Sequence, residues 1–180
     1  MEGFKPGEEC TACQGKCCKE TGCCLSPEDL QKTLKSRNIG KEESLYDQIL
    51  SLLKEEQIQP LYAIDHFGTP KGPLYYLRMR HKCYTFIGID AMGECTALTK
   101  EGCSLSQEQR PKGGRFLKSA PDRHCVQHYT REMMCEDWAP YQEILESIYK
   151  EYEVRFKEDG TFERCDADYF RWMREQREGK

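Results

Sequence analysis

The sequence predicts an α+β fold: a small antiparallel β-meander with several helices and a cysteine-rich metal-binding loop region. Six of the twelve cysteines fall between positions 10 and 24. Elsewhere apolar residues recur at helical spacing, and short aromatic or β-branched runs lie between turn-forming glycines and prolines. The length indicates a single domain over 1–180, with the cysteine-cluster region in 8–135 and a helical region in 136–180.

Two helices are predicted after the N-terminal loop. The first has Ser26 as its N-cap and Pro27 at its first helical position, and it ends near residues 38–40. The second covers about 41–57. Its residues at i, i+4, i+7 and i+8 form one apolar stripe: Leu45, Ile49, Leu52 and Leu53.

A change to short aromatic and β-branched runs predicts strands next. Residues 61–67 and 74–79 form a hairpin in this interpretation, connected by the loop 68–73, which is rich in glycine and proline. Residues 83–88 and 94–98 supply two further strands. Together the four strands complete the predicted meander.

The C-terminal part is predicted to be helical after an irregular polar stretch over 99–124. A helix is expected over about 122–134, and the clearest helix covers 138–156. A last helix begins at Asp166, and its arginines at i, i+3 and i+6 are interpreted as a solvated face rather than a docking surface. The stripe of the 138–156 helix consists of Tyr141, Ile144, Leu145, Ile148, Tyr149 and Tyr152.

The density of cysteines indicates either disulfides or a metal. The N-terminus has no apolar signal-like stretch, and the chain is longer than the secreted scaffolds that depend on disulfides, so we favour thiolate ligation of a metal in a reducing cytoplasm. Six disulfides are the alternative. Cys10 and Cys13 have the Cys-x-x-Cys spacing that lets two sulfurs bind one metal, as Zn²⁺ and iron–sulfur sites both require.

Six ligands follow from spacing and from a polar, turn-rich context: Cys10, Cys13, Cys17, Cys18, Cys95 and Cys103. Adjacent cysteines point to opposite sides of an extended chain, so one member of each pair can bind while the other packs, or the two serve different metals. Ligation is left open for Cys23, Cys24, Cys83, Cys135, His124 and His128. Packing is the preferred role of Cys165.

The chain resembles the CxxCxxCC family of zinc- or iron-chelating proteins, also called YkgJ-type cysteine-cluster proteins. The similar runs are CTACQGKCC at 10–18 followed by SPEDL at 26–30, then CTALTKEGC at 95–103 and RPKGGRF at 110–116. The resemblance covers about residues 8–135 and implies metal chelation.

One position departs from the family pattern. Gly114 stands where the family has a cysteine, so Cys125 is expected to complete the ligand set, with His124 as the fallback. If neither ligates, the metal keeps an open vertex, as catalytic sites do.

Three functions are compatible with these observations: a thiolate-bound iron–sulfur or zinc centre, a purely structural zinc module, and an enzyme similar to the flagellin lysine N-methylases of that family. No apolar run approaches the ~18 residues of a membrane helix, and the net charge of −4 gives no indication of nucleic acid. A protein partner stays open. The basic loop 110–118 is interpreted as solvated, with an anion cradle as the alternative.

Overall fold

The computed structural model describes residues 18–19, 22–40, 42–54, 62–81, 85–87, 93–100, 102–118 and 126–164, together with 167, 171 and 174. These residues form a mixed α and β fold, as predicted. The helices are α1 (Pro27–Ser36), α2 (Leu45–Lys54), α3 (Lys112–Arg115), α4 (Arg131–Trp138) and α5 (Gln142–Glu158). The strands are β1 (Tyr62–Thr69), β2 (Gly72–Met79), β3 (Leu98–Thr99), β4 (Gly102–Cys103), β5 (Leu117–Lys118) and β6 (Val126–Gln127).

The predicted start of α1 is confirmed in detail. The side chain of Ser26 accepts a hydrogen bond from the amide of Asp29, and the Asp29 carboxylate accepts one from the amide of Ser26, which forms a capping box. Pro27 occupies the first turn, where its missing N–H costs nothing. Leu30 and Leu34 face the core.

The predicted hairpin is present, but its loop is shorter than expected. Strands β1 and β2 pair antiparallel up to Thr69 opposite Gly72, so the turn consists of Pro70 and Lys71 rather than the whole of 68–73. Gly72 has φ +117°, which favours glycine, and its carbonyl accepts a hydrogen bond from the Thr69 hydroxyl at 2.7 Å.

The predicted continuous meander is wrong for the described residues. Their strands form three separate two-stranded antiparallel sheets instead. In the predicted strand 83–88, Ile87 makes a single parallel bridge to Ile64, and residues 83, 84 and 88 lie outside the described ranges.

The predicted strand 94–98 is replaced by a turn. The amide of Leu98 donates to the carbonyl of Cys95 at 3.0 Å, which reverses the chain before β3. Strand β3 then pairs with β4. This local turn leaves Cys95 and Cys103 on neighbouring segments.

Two helix boundaries differ from the predictions. In place of the helix expected over 122–134, residues 126–127 pair with β5 as a strand, and α4 begins only after the N-cap Thr130. The helix expected at 138–156 begins at residue 142, because Pro140 lies in a 3₁₀ turn that separates α4 from α5. Residues 161–164 are already helical, before the start of the last helix predicted at Asp166, which itself lies outside the described residues. Residues 167, 171 and 174 are helical, as predicted.

The main core lies between the β1–β2 hairpin and helices α1, α2, α4 and α5. It confirms the predicted stripes of α2 and α5. The indole N–H of Trp138 donates to the carbonyl of Leu25 at 3.0 Å, which joins α4 to the segment before α1. The fully buried side chains of the main core include Leu30, Ile49, Leu53, Ile64, Leu77, Trp138, Leu145 and Ile148.

A second, smaller cluster lies beyond the end of β2. Its buried members are Met79, Cys95, Ala97 and Leu98. No helix among the described residues combines the length and the apolar character needed to cross a membrane.

Candidate metal centre

Three of the predicted ligands lie in the described part of the chain, and all three belong to the smaller cluster. Cys95 is buried there, and Cys18 and Cys103 pack against it half-buried. Two segments that are far apart in the sequence therefore bring their cysteines together. Cys10, Cys13, Cys17 and Cys125 lie outside the described residues.

The N-terminal cysteine segment is fixed against the end of β2. The amide of Leu25 donates to the carbonyl of Leu77 at 2.8 Å, and the amide of Met79 donates to the carbonyl of Cys23 at 2.9 Å. Cys24 and Arg78 form the antiparallel bridge between these two bonds. The segment is thus held like a short additional strand on β2.

Gly22 permits this close approach. A Cβ atom at position 22 would lie 2.1 Å from the carbonyl oxygen of Met79, a distance that real side chains do not reach. The amide of Gly22 donates to Nε2 of His81 at 3.0 Å, so this buried imidazole holds the segment through the nitrogen that carries no proton. The role of His81 here is to bind the backbone of the N-terminal cysteine segment.

The second cysteine segment is bonded directly to the first. The amide of Cys95 donates to the carbonyl of Cys18 at 2.7 Å, and Cys95 forms an antiparallel bridge with His81. Cys103 pairs with Leu98 across β3 and β4. Backbone hydrogen bonds therefore set the positions of all three described ligands.

A third segment, the basic loop, packs against the same region. The amide of Gly113 donates to the carbonyl of Cys24 at 2.9 Å. A Cβ at position 113 would lie 2.8 Å from the backbone N and O atoms of Cys24, so a side chain there would separate the two segments.

The basic loop holds an anion from within the chain. The amide of Lys112 donates to the Asp29 carboxylate at 2.7 Å, and the Arg115 guanidinium pairs with the same carboxylate at 2.8 Å. The anion-cradle alternative therefore describes this loop better than a fully solvated one, and the anion is the capping carboxylate of α1. Lys112 also forms an ion pair with Asp137 of α4 at 2.7 Å.

The thiol of Cys18 is the most acidic of the cluster. A hydrogen bond with the Cys23 thiol, helped by the positive charge of Arg110, lowers the pKa of Cys18 to about 7 despite its partial removal from water. At neutral pH this thiol is therefore close to half ionised.

The thiols of Cys23 and Cys95 are instead held in the neutral form. The pKa of Cys23 lies well above its ordinary value because of its hydrogen bond with Cys18 and its removal from water. Burial raises the pKa of Cys95 to about 12, and the nearby thiols of Cys18 and Cys103 add to this. A bound cation reverses this effect, because a coordinated thiol gives up its proton.

The two members of the pair Cys23–Cys24 point to opposite sides, as expected for an extended chain. Cys23 packs in the smaller cluster, and Cys24 packs against the main core. Cys135 also packs against the main core, so neither Cys24 nor Cys135 belongs to the candidate centre.

The remaining candidates lie elsewhere. His128 is exposed and lines an open surface cleft with Arg115, Phe116, Leu117 and Met133. Cys83, His124 and Cys165 lie outside the described residues. Two contributors were not singled out from the sequence, Cys23 and His81. Cys23 was left open as one of a vicinal pair, and alternation along the chain does not identify it, because Cys23 joins the smaller cluster although Leu25, two residues on, lies in the main core.

The donor chemistry of the cluster suits a thiophilic metal. All four cysteines that meet there are free thiols, and soft sulfur ligands select Zn²⁺ or iron–sulfur centres. Over the described ranges, no three Cys, His, Asp or Glu side chains are already arranged to hold an ion. A complete site would therefore need these thiols to draw together or residues from beyond these ranges to join them.

Comparisons with protein-family models, with curated proteins and with solved structures gave no match. The resemblance to the CxxCxxCC family accordingly stays a prediction carried by the motifs in the sequence.

Proposed function

We propose that this protein holds a metal centre, an iron–sulfur cluster or Zn²⁺, through cysteine thiolates from its N-terminal loop and from the segment 95–103, in a reducing cytoplasm. The ligands would be Cys10, Cys13, Cys17, Cys18, Cys95 and Cys103, with Cys125 predicted to complete the set. The single observation that carries the proposal is the convergence of Cys18, Cys95 and Cys103 in one cluster, built by backbone hydrogen bonds between distant segments.

The cost of ionising thiols that are removed from water favours a bound cation in this cluster. Thiols that are held together and largely removed from water are difficult to ionise, which the raised pKa of Cys95 reflects. A metal would replace the protons and neutralise the resulting charge. Within the described ranges the smaller cluster has few apolar side chains, so metal binding would also supply folding free energy to this part of the fold.

The test is metal analysis and ultraviolet–visible spectroscopy on protein purified without oxygen. A brown sample with iron and acid-labile sulfide indicates an iron–sulfur centre, and a colourless sample with stoichiometric zinc indicates a structural module. Protein that carries neither metal at stoichiometric level, and takes up neither when reconstituted, would contradict the proposal.

Matched variants separate ligands from other cysteines. Cys95→Ser is expected to remove most of the bound metal, because it deletes a buried sulfur of the cluster. Cys135→Ala is the control, since Cys135 packs against the main core and should leave the metal content unchanged. Equal metal loss in both variants would indicate unfolding rather than ligand removal.

A further inference from the structure

The side chain that position 114 lacks would point at the sulfur of Cys23. A Cβ atom built on Gly114 lies 3.3 Å from Sγ of Cys23 and 3.1 Å from Cβ of Arg110. Both distances are tighter than ordinary van der Waals contact. A side chain at position 114 and the Cys23 sulfur therefore compete for the same volume.

Cys23 shares this volume with the other cysteines of the cluster. Its thiol is hydrogen-bonded to that of Cys18, and it packs with Cys95 and Cys103 around Met79. Its neighbour Cys24 faces the main core. Of the two cysteines, only Cys23 can present its sulfur to the candidate ligands without a change of backbone direction.

The backbone that carries Cys23 is fixed on both sides. Its carbonyl accepts a hydrogen bond from the amide of Met79, and the carbonyl of the next residue accepts one from the amide of Gly113. Gly22 and Gly113 allow these approaches because neither carries a side chain. The Cys23 sulfur is thus held beside position 114 by β2 on one side and α3 on the other.

From this geometry we infer that Cys23 is a ligand of the metal centre, with its sulfur in the volume that a side chain at position 114 would enter. The inference rests on the proposed function and adds a residue to its ligand set. With Cys18, Cys95 and Cys103 this residue would make four sulfurs from the described residues, and these would have to draw together around the metal beside the ligands from residues 10–17. Cys125, which is predicted from the sequence to replace the cysteine missing at position 114, is then not needed for that role.

Co²⁺ alone is the first probe, because its thiolate charge-transfer absorption grows with the number of sulfur ligands. Cys23→Ala should lower this absorption by one thiolate per bound ion and weaken Co²⁺ binding at least about tenfold, since each ligand carries a sizeable share of the binding free energy. Cys24→Ala is the matched control. It removes an adjacent half-buried thiol that faces the main core, and its spectrum should equal that of the wild type.

The second part of the experiment tests whether a cysteine at position 114 can replace the sulfur of Cys23. Gly114→Cys in the Cys23→Ala background should restore the lost thiolate band, because the new sulfur enters the volume that the old one left. Gly114 lies in α3 without a positive φ, so its backbone conformation suits a side chain, and the new Cβ requires Arg110 to shift by a few tenths of an ångström. An unchanged Co²⁺ spectrum in Cys23→Ala would overturn the inference, and so would restoration by Gly114→Ala as effective as that by Gly114→Cys.

Wild-type protein loaded with Cd²⁺ gives a test that no folding defect can obscure. Cadmium NMR should show coupling between the metal and the β-protons of Cys23, and no coupling to those of Cys24. Coupling to Cys18 and Cys95 without Cys23 would overturn this inference while leaving the proposed function intact. Failure of the wild type to bind Co²⁺ or Cd²⁺ would overturn this inference, and the proposed function would fall with it if the protein also takes up neither iron nor zinc.

Discussion

The carboxylate of Asp29 and the guanidinium of Arg115 form an ion pair at 2.8 Å that joins the start of α1 to the loop containing Gly113 and Gly114. Asp29 also accepts hydrogen bonds from the amide of Ser26 at 2.9 Å and from that of Lys112 at 2.7 Å. One carboxylate therefore organises two of the three segments that meet at the cysteines.

Asp29→Asn should destabilise the protein by about 2–3 kcal/mol at pH 7. The substitution removes the charge that pairs with Arg115 and turns an amide donor toward donors in a largely buried place. Urea unfolding followed by circular dichroism measures the change. Glu28→Gln is the control, because Glu28 lies exposed in the same helical turn and should shift stability by less than about 0.5 kcal/mol.

The effect of Asp29 should depend on pH. Burial alone would raise the pKa of Asp29, but hydrogen bonds from Ser26 and Lys112 and the pairing with Arg115 outweigh it, and the pKa falls below its ordinary value. A depressed pKa stabilises the fold above the unfolded-state value of about 3.9, and this stabilisation is lost as the pH falls through the folded pKa. The difference between wild type and Asp29→Asn should therefore shrink below about pH 4. A constant difference from neutral to strongly acidic pH would contradict this account.

Gly22→Ala should separate the N-terminal cysteine segment from β2, because the new Cβ meets the carbonyl oxygen of Met79 at 2.1 Å. We expect a loss of about 2 kcal/mol or more in unfolding free energy, together with lower metal content. Gly68→Ala provides the control, since a Cβ at position 68 meets nothing within 4 Å. Equal stability of the two variants would show that the segment is not held in this position.

In the metal-free, reduced protein, Cys18 should be alkylated before Cys95. Its pKa of about 7 gives a large thiolate fraction at neutral pH, whereas the pKa of about 12 keeps Cys95 protonated. Arg110→Gln should raise the pKa of Cys18 and slow its reaction, because a nearby positive charge is lost. Peptide mass spectrometry after brief iodoacetamide treatment between pH 6 and 9 gives the rates. Faster labelling of Cys95 than of Cys18 would refute the assignment.

Local features of the fold were predictable from the sequence. The start of α1 needs only Ser26, Pro27 and Asp29, which are neighbours in the chain, and its capping box forms as expected. The apolar residues of α5 likewise recur at helical spacing in the sequence, and this stripe is buried as predicted. The break at Pro140 was missed because Met134 and Trp138, which precede it, are buried at the same helical spacing as the stripe that follows it.

Contacts between distant segments were not predictable in the same way. The ion pair of Asp29 with Arg115 and the contact of Cys23 with position 114 depend on how the segments are brought together. Spacing alone identifies Cys95 and Cys103 as a pair. It does not indicate which cysteine of the Cys23–Cys24 pair joins them, because that choice is made by the pairing with β2.

Metal removal should loosen one side of the molecule and spare the other. Among the described residues, the smaller cluster around Met79 and Cys95 contains few buried apolar side chains, so without a metal its segments would keep mainly backbone hydrogen bonds. Helix α5 is buried in the main core through Leu145 and Ile148, which do not belong to the smaller cluster. Hydrogen exchange should therefore accelerate after chelation for the amides of Cys95 and Ser104, and stay unchanged for α5.

The amides of Cys95 and Ser104 are the informative probes. Each donates to a carbonyl of the cysteine region, Cys95 to Cys18 at 2.7 Å and Ser104 to Ala97 at 2.8 Å. Cys95→Ser purified without metal should exchange at these positions as fast as the chelated wild type, because both lack the same restraint. Cys135→Ala, treated identically, should respond to chelation as the wild type does. Equal protection throughout the chain before and after chelation would mean that the metal does not hold these segments together, and acceleration in α5 as well would mean that the two clusters unfold as one unit.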